Sequence, residues 1–349
     1  MERKKEKLSD QMKAKVEAPP VDNKTEYDGN FGTVISTGAT LLDLNISGGR
    51  ICGGGLPGGI FAEVFGPSGS GKTVLLSEIA GAVQRQGGEV KFADPESRLN
   101  ERFAKIFGLE IKEENYSTPD TVTEIFQAIR DWKPEKENVI HGVFADSLAA
   151  LSTDLEMEND EGDKMGGRRA KEFSEQLRKT CRMIKDKNYL MVASNQIREI
   201  MNASKWETKT KSPGGKALEF YPSLRLQFSN ASEIRETKEI AGKEVVRTVG
   251  VETQVKVFKN SIWKPYRTTS LRINFDYGID DIFMNLQYIK DYTTNTVYTC
   301  GGEKLSNDMD KAIKMVEEHG LEMILREEVI DLWESIELQF LVERKPKLR

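Results

Sequence analysis

The fold class this sequence predicts is α/β, a mostly parallel twisted sheet flanked by helices, with antiparallel strands added late in the chain. Three observations carry it. First, β-like runs ("GEVKFAD", "VIHGVFAD", "NYLMVAS", "SLRLQFS", "VETQVKVFKN", "SLRINF") follow helical patterns such as those over 120–132 and 168–187, and strands alternating with helices build parallel sheets. Second, "EVFGPSGSGKTVLLSEIAG" at 63–81 reads as a buried strand, a glycine-rich loop and a helix in succession. Third, 349 residues with 38% apolar and 31% charged side chains can bury a sizeable core in one large or two smaller domains.

Taken in order, residues 1–32 are charged and polar and broken by Pro19 and Pro20, so they read as an N-terminal arm suited to docking on a neighbouring subunit. Residues 33–285 carry the alternating pattern and form the expected core. Residues 286–349 are expected to form a small C-terminal unit, helical through "DMDKAIKMVEEHG" and "LEMILREEVIDLWESIELQFLVE". Two segments, 156–167 and 198–216, are glycine-rich or polar and too irregular to pack, and long loops in compact domains are usually either functional or disordered. A net charge of −5 gives no global basic signature, so contact with nucleic acid would have to come from local patches. Cys52, Cys181 and Cys300 are odd in number and far apart, which argues against a disulfide framework and a four-cysteine zinc site and fits a reducing cytoplasm. No apolar run approaches about 18 residues, and no apolar stretch follows "MERKKEKLSDQMKAK"; neither membrane spanning nor secretion is expected. His141 and His319 stand alone, without metal-ligand spacing.

The chemistry begins at Gly66-Pro67-Ser68-Gly69-Ser70-Gly71-Lys72-Thr73, which matches G-x-x-x-x-G-K-[ST], with Val74 opening the apolar face of the helix behind it. In that setting backbone N–H groups converge on phosphates at a helix N-terminus. Lys72 adds a point charge at the β- and γ-phosphates, and Thr73 offers its hydroxyl to Mg²⁺. A nucleoside triphosphate is the expected ligand. In a doubly wound sheet the carboxyl ends of neighbouring strands face that ligand, which brings Asp94, Glu96 and Asp146 toward the γ-phosphate. Asp146 suits Mg²⁺, held directly or through its water, and Glu96 suits the attacking water; Asp94, before a proline, fits a turn equally well. The run "NYLMVASNQIRE" ends in Asn195 and Gln196. A neutral amide there can sense the γ-phosphate and report to the loop that follows.

These motifs, together with "VISTGATLLDL", "GGLPGG", "FADPESRLNERFAKIFGL", "EGDKMGGRRAKEFSEQLRK", "SPGGKALEFYPSLRLQF" and "VKVFKNSIWKPY", resemble the RecA-type homologous recombinases in order and spacing, over roughly 33–285. The resemblance implies a RecA-like P-loop ATPase core using ATP and Mg²⁺. It makes Glu96 the catalytic glutamate and Gln196 the switch residue, sets Phe103 on the adenine, and counts Asn100 among the nucleotide-binding residues. It also implies that Lys259 reaches the γ-phosphate of the neighbouring protomer, that Phe220 packs at the protomer contact, and that 156–167 and 198–216 are two DNA-binding loops. In the first, Met165, Gly166, Gly167, Arg168 and Arg169 offer glycine amides and guanidiniums to phosphates. In the second, Arg198, Lys205, Lys209 and Lys211 interleave with Ile200, Met201 and Trp206 ahead of Gly214 and Gly215, a pattern suited to sequence-tolerant single-strand binding. Ser261 departs from the family where a second lysine is expected, leaving Lys256 or Lys264 as substitutes; the arm and the basic end "ERKPKLR" depart as well.

The expectation is therefore an ATP-dependent recombinase that forms helical filaments on single-stranded DNA and exchanges strands with homologous duplex DNA. Its implied partners include single-strand-binding and loader proteins. A hexameric helicase or translocase on the same core, and an ATP-binding mediator that does not exchange strands, are the rival readings.

Overall fold

The computed structural model describes residues 33–51, 53–158, 166–196, 198–199, 210–211, 217–342 and 344. In chain order the elements are β1 (Val34–Ile35), α1 (Thr40–Ser47), β2 (Leu56–Pro57), β3 (Ile60–Gly66), α2 (Lys72–Arg85), β4 (Val90–Ala93), α3 (Glu101–Ile106), β5 (Tyr116–Ser117), α4 (Val122–Asp131), β6 (His141–Ala145), α5 (Asp154–Glu158), α6 (Gly166–Asp186) and β7 (Tyr189–Gln196). They continue with β8 (Arg198–Glu199), β9 (Thr210–Lys211), α7 (Ala217–Phe220), β10 (Leu224–Phe228), β11 (Ser232–Ile240), β12 (Lys243–Asn260), β13 (Thr268–Asn274), β14 (Gly278–Ile279), α8 (Asp281–Tyr292), β15 (Thr299–Cys300), β16 (Glu303–Lys304), α9 (Met309–Glu318) and α10 (Glu322–Gln339).

One sheet organises the chain. Its order is β14-β13-β12-β10-β3-β7-β6-β4-β5, with β11 paired to β12. From β10 through β5 every pairing is parallel, and from β10 through β12 to β14 every pairing is antiparallel. The central strands β3 and β6 are buried at every position, and β7 at all but its last, which is the mark of strands covered on both faces. Two apolar clusters provide the cover. One joins α1, α2 and the C-terminal helices α8 to α10; the other joins α4, α6 and α7 through residues such as Phe126, Phe173 and Leu218. The fold is the α/β architecture that the alternating pattern predicts.

The antiparallel side contains an element the sequence pattern did not reveal. β11 and the first part of β12 form a hairpin that turns at Ala241 and Gly242, both with positive φ, as a two-residue primed turn requires. Its strands are exposed along most of their length and mostly charged or polar, so they lack the apolar alternation by which strands are recognised.

The C-terminal helices are fastened by charge as well as by apolar contact. Leu325, Val329 and Trp333 of α10 sit in the same cluster as Leu42 and Leu44 of α1. Arg50 donates to Glu327 at 2.5 Å, Asp331 at 2.6 Å and the fully buried Glu334 at 3.0 Å, while Arg267 bonds Glu337. Gly48 ends α1 in the left-handed region at φ 74°, and its N–H bonds the Leu44 carbonyl at 2.8 Å. A side chain there would also collide with the ring of Trp263.

Helix α1 has no side-chain cap of its own. Instead Asp281, at the start of α8, accepts from Thr40 N and Thr40 Oγ1, both at 2.7 Å, supplying an acceptor for an otherwise orphaned helical N–H. Next to it Asp43 accepts from Ser36 Oγ at 2.5 Å and from Thr37 N and Oγ1 at 2.8 and 2.7 Å. Burial pushes the Asp43 carboxyl up to about 7, against the opposing hydrogen bonds from Ser36 and Thr37. The folded chain thus keeps a proton that the unfolded chain releases near pH 3.8. That contribution to stability is complete below the unfolded value and is lost as pH rises through the folded one. Thermal melts of the wild type and of Asp43→Asn between about pH 5 and 8 test this, the variant losing less of its melting temperature over that range than the wild type; parallel curves would refute it.

Candidate nucleotide-binding site

Strand register gathers the site. Gly66 at the end of β3 lies opposite Gln196 at the end of β7, Ala193 of β7 lies opposite Ala145 of β6, and Ala145 lies opposite Ala93 of β4. The residues that follow β6 and β4, Asp146 and Asp94, therefore emerge at the same end of the sheet as the glycine loop. A cleft of about 450 Å³ opens there, lined by residues 68–74, Asp94, Glu96, Arg98, Leu99, Phe103, Phe107, Asp146, Ser147, Ser194 and Gln196, with Val251, Ile273 and Phe275 from the antiparallel side.

The loop between β3 and α2 meets two backbone demands. Gly69 and Gly71 take φ of 71° and 94°, which residues with a side chain rarely adopt. At Gly66 a Cβ would fall 2.6 Å from the Phe228 carbonyl oxygen. Gly71 caps α2 without a side-chain acceptor, and no acidic residue stands in the first turn, so that turn's N–H groups and dipole remain available to an anion. Lys72 Nζ donates to the loop carbonyls of Gly66 at 3.1 Å and Pro67 at 2.5 Å. Burial lowers its proton affinity, against the opposing pull of Asp146 and Glu96. An arriving phosphate would reverse that shift.

Thr73 Oγ1 donates to Asp146 Oδ2 at 2.5 Å, and Ser194 Oγ donates to Asp146 Oδ1. Burial raises the Asp146 carboxyl, opposed by those two hydrogen bonds. A hydroxyl and a carboxylate side by side are hard oxygen donors of the kind Mg²⁺ takes alongside substrate phosphates. Among the described residues no group of three or more His, Cys, Asp or Glu could hold a metal by itself. The donor set fits an ion that arrives with a triphosphate.

Glu96 is committed at both oxygens. Oε1 accepts from Ser147 Oγ at 3.1 Å and Gln196 Nε2 at 3.3 Å, and Oε2 pairs with Arg98 at 2.6 Å. The contact with Gln196 joins the expected base to the expected sensor directly. Asp94 is a turn residue here: buried, it accepts from Arg98 N, Leu99 N and Tyr116 Oη, each at 2.8 Å. Asn100 caps α3 through Oδ1, accepting from Arg102 N at 2.8 Å and Phe103 N at 3.4 Å. Phe103, half exposed beside Phe107 with ring centroids 5.9 Å apart, borders the cleft. Sequence reading missed Ser147, Ser194 and Arg98. The two serines flank residues it did select, but a hydroxyl has no spacing rule of its own.

Other predicted residues lie apart from this cleft. Lys259 faces Arg225 across β12 and β10, three residues before the Phe228 end that abuts Gly66, or about 10 Å along the strand. Its Nζ donates to the carbonyls of Glu219 at 3.2 Å and Phe220 at 2.7 Å. Burial lowers its proton affinity, and Arg225 adds to the shift. Phe220 is 70% exposed and belongs to no core cluster. Lys256 lies 5.8 Å over the Tyr266 ring, and Lys264 is 3.6 Å from Glu337. Beneath Lys259, buried Arg225 pairs with buried Glu63 at 2.6 Å, and Glu63 also accepts from Asn195 Nδ2 at 3.0 Å.

Gly166, Gly167, Arg168 and Arg169 form the first turn of α6. Arg169 is half-buried and pairs with Glu156 at 3.2 Å, so that guanidinium already has an internal partner. Arg198 and Lys211 oppose each other in the short pair of β8 and β9. Met165, Ile200, Met201, Lys205, Trp206, Lys209, Gly214 and Gly215 lie outside the described residues.

The family model described as the RecA N-terminal domain matches residues 24–280. The chain belongs to the RecA family. Relatives of the RecA family named "Protein RecA" include those of Delftia acidovorans, 31% identical over 305 residues (85% of this chain, 78% of the relative), and Colwellia psychrerythraea, 32% identical over 289 residues (82% and 79%). That of Methylococcus capsulatus is 32% identical over 292 residues, again 82% of this chain and 79% of the relative. ATP binding, DNA binding, recombination and repair are RecA-family properties, and the motifs quoted from the sequence fall within the matched span. No helix among the described residues is long and apolar enough to cross a membrane.

Proposed function

We propose that this chain is a DNA-dependent ATPase that assembles as a filament on single-stranded DNA and catalyses homologous pairing and strand exchange. The observation that carries the reading is the hydrogen bond from Gln196 to Glu96 at the end of β7, two residues ahead of β8, where the second DNA-binding loop begins. A γ-phosphate seated against Lys72 would compete for that amide. Its presence or absence would then be felt where the loop leaves the sheet.

The residues divide the work. Loop amides and Lys72 seat the phosphates, Thr73 and Asp146 hold Mg²⁺, and Phe103 offers its ring to the base. Bound Mg²⁺ neutralises charge on the β- and γ-oxygens. Glu96 orients a water and receives its proton; Ser147 holds the carboxylate in place. Lys259 is too far down the sheet for its own cleft and, with exposed Phe220, suits the cleft of a neighbouring copy. A cation supplied across a subunit boundary can accelerate phosphoryl transfer by about 10³–10⁵. Single-stranded DNA would lie on 156–167 and 198–216, each stacked base contributing about 1–3 kcal/mol.

The test is ATP turnover with and without single-stranded DNA, followed by strand exchange, for the wild type, Lys72→Ala and Trp206→Ala. Wild-type turnover rises with DNA and joint molecules form. Lys72→Ala loses both activities, and Trp206→Ala binds DNA less tightly and exchanges poorly. Absence of DNA stimulation together with absence of joint molecules would overturn the reading. Binding should also weaken with salt, at about −0.7 in log K per log salt for each phosphate contact.

A further inference from the structure

We propose that Arg98 is a catalytic cation of this ATPase, holding Glu96 while the cleft lacks a triphosphate and turning to the γ-phosphate when one enters. The proposal rests on the ATPase reading above and extends it to a residue that reading leaves without a role.

Charge in the cleft points to this residue. The described side chains that line it include three carboxylates, Asp94, Glu96 and Asp146, and two cations, Lys72 and Arg98. Lys72 is held low in the loop by the Gly66 and Pro67 carbonyls. Arg98 is the other, and it sits at the reacting end: its guanidinium is 2.6 Å from Glu96 Oε2, and Glu96 is close enough to Lys72 to act on its proton affinity. The side chain of Arg98 is 75% exposed, whereas that of Glu96 is 17% exposed. An ion pair with one partner mostly in water is weakly held, so a group bearing several negative charges would draw the guanidinium away. Arginine suits the exchange because its planar fork can bond two phosphoryl oxygens at once.

The backbone of Arg98 keeps that swing local. Its N–H is fixed to Asp94 Oδ2 at 2.8 Å, so the side chain pivots about a tethered Cα. Departure of the guanidinium frees Oε2 of Glu96, while Ser147 remains on Oε1. The freed oxygen accepts a proton from water as the water oxygen bonds to the γ-phosphorus. The bond from that phosphorus to the β–γ bridging oxygen breaks, and ADP leaves with the electron pair. Arg98 stabilises charge on the γ-oxygens as this happens.

Steady-state turnover at saturating single-stranded DNA, together with binding of ADP and of a slowly hydrolysed ATP analogue, tests the assignment in full-length Arg98→Ala and Arg98→Lys. Loss of one preorganised donor to developing charge costs about 10²–10³ in kcat. Arg98→Ala is expected to lose about 100-fold in kcat, with Arg98→Lys recovering part of it. Affinity for the analogue falls in Arg98→Ala while affinity for ADP, which lacks the γ-phosphate, does not change. Turnover within threefold of wild type, or equal loss of affinity for ADP and the analogue, would overturn the assignment and leave the ATPase reading standing. A wild type that does not hydrolyse ATP would bring down both.

Discussion

Replacing Glu96 with glutamine is expected to lower DNA-stimulated ATP turnover by about 10²–10⁴-fold, the range a positioned general base contributes, while nucleotide binding survives. Glutamine keeps the shape, and its Oε1 can still accept from Ser147 and Gln196 at the distances seen for glutamate, 3.1 and 3.3 Å. What disappears is the basicity that receives a proton from water, along with the charge that pairs with Arg98. Phosphate release at saturating ATP measures the first quantity, and a fluorescent nucleotide analogue measures the second. Filaments of this variant should persist on DNA, because the bound triphosphate is no longer consumed. Turnover within about threefold of wild type would remove Glu96 from the role assigned to it.

A comparably large effect, on stability rather than rate, is expected beneath the sheet's centre. Arg225→Met leaves Glu63 buried, its Oε1 accepting from Asn195 and its charge without the guanidinium, and Glu63 has no exposed surface. Burial already pushes the Glu63 carboxyl upward, and the charge of Arg225 is the largest influence opposing that shift. Removing one member of a buried pair costs about 3–5 kcal/mol, whereas replacing both with well-packed apolar residues is often neutral or stabilising. Urea unfolding of Arg225→Met should show that loss, and Glu63→Met/Arg225→Met should recover most of it. The guanidinium also lies 4.5 Å from the Phe65 ring centroid, so recovery depends on methionine filling the same space. A single variant within about 1 kcal/mol of wild type would show that the charge is solvated in some other way.

What could be read from the sequence followed from periodicity and fixed spacing. β3, β6 and β7 declare themselves as apolar runs because both faces of a central parallel strand are covered, and the glycine loop declares itself because phosphate cradling needs particular residue types at particular positions. Asp146, Glu96 and Gln196 were legible because strand ends beside that loop must face it. The Glu63 to Arg225 pair was not, since its members are 162 positions apart and each stands between apolar neighbours, where nothing local signals the partner. The hairpin of β11 and β12 was missed for the opposite reason, that a strand solvated on both sides needs no apolar alternation. Nothing local in "PESRLN" singles out Arg98; only the folded turn, tied by Asp94, carries it to Glu96.

The acidic row on α10 has a practical corollary. Glu334 and Glu337 are the counter-charges of Arg50, just ahead of β2, and of Arg267, at the approach to β13. Shortening the polypeptide ahead of residue 322 would strip both guanidiniums of those carboxylates and open the cluster that Leu325, Val329 and Trp333 complete. The helical end is thus a keystone of one flank of the sheet, not a detachable appendage, and trimming it would cost the fold itself.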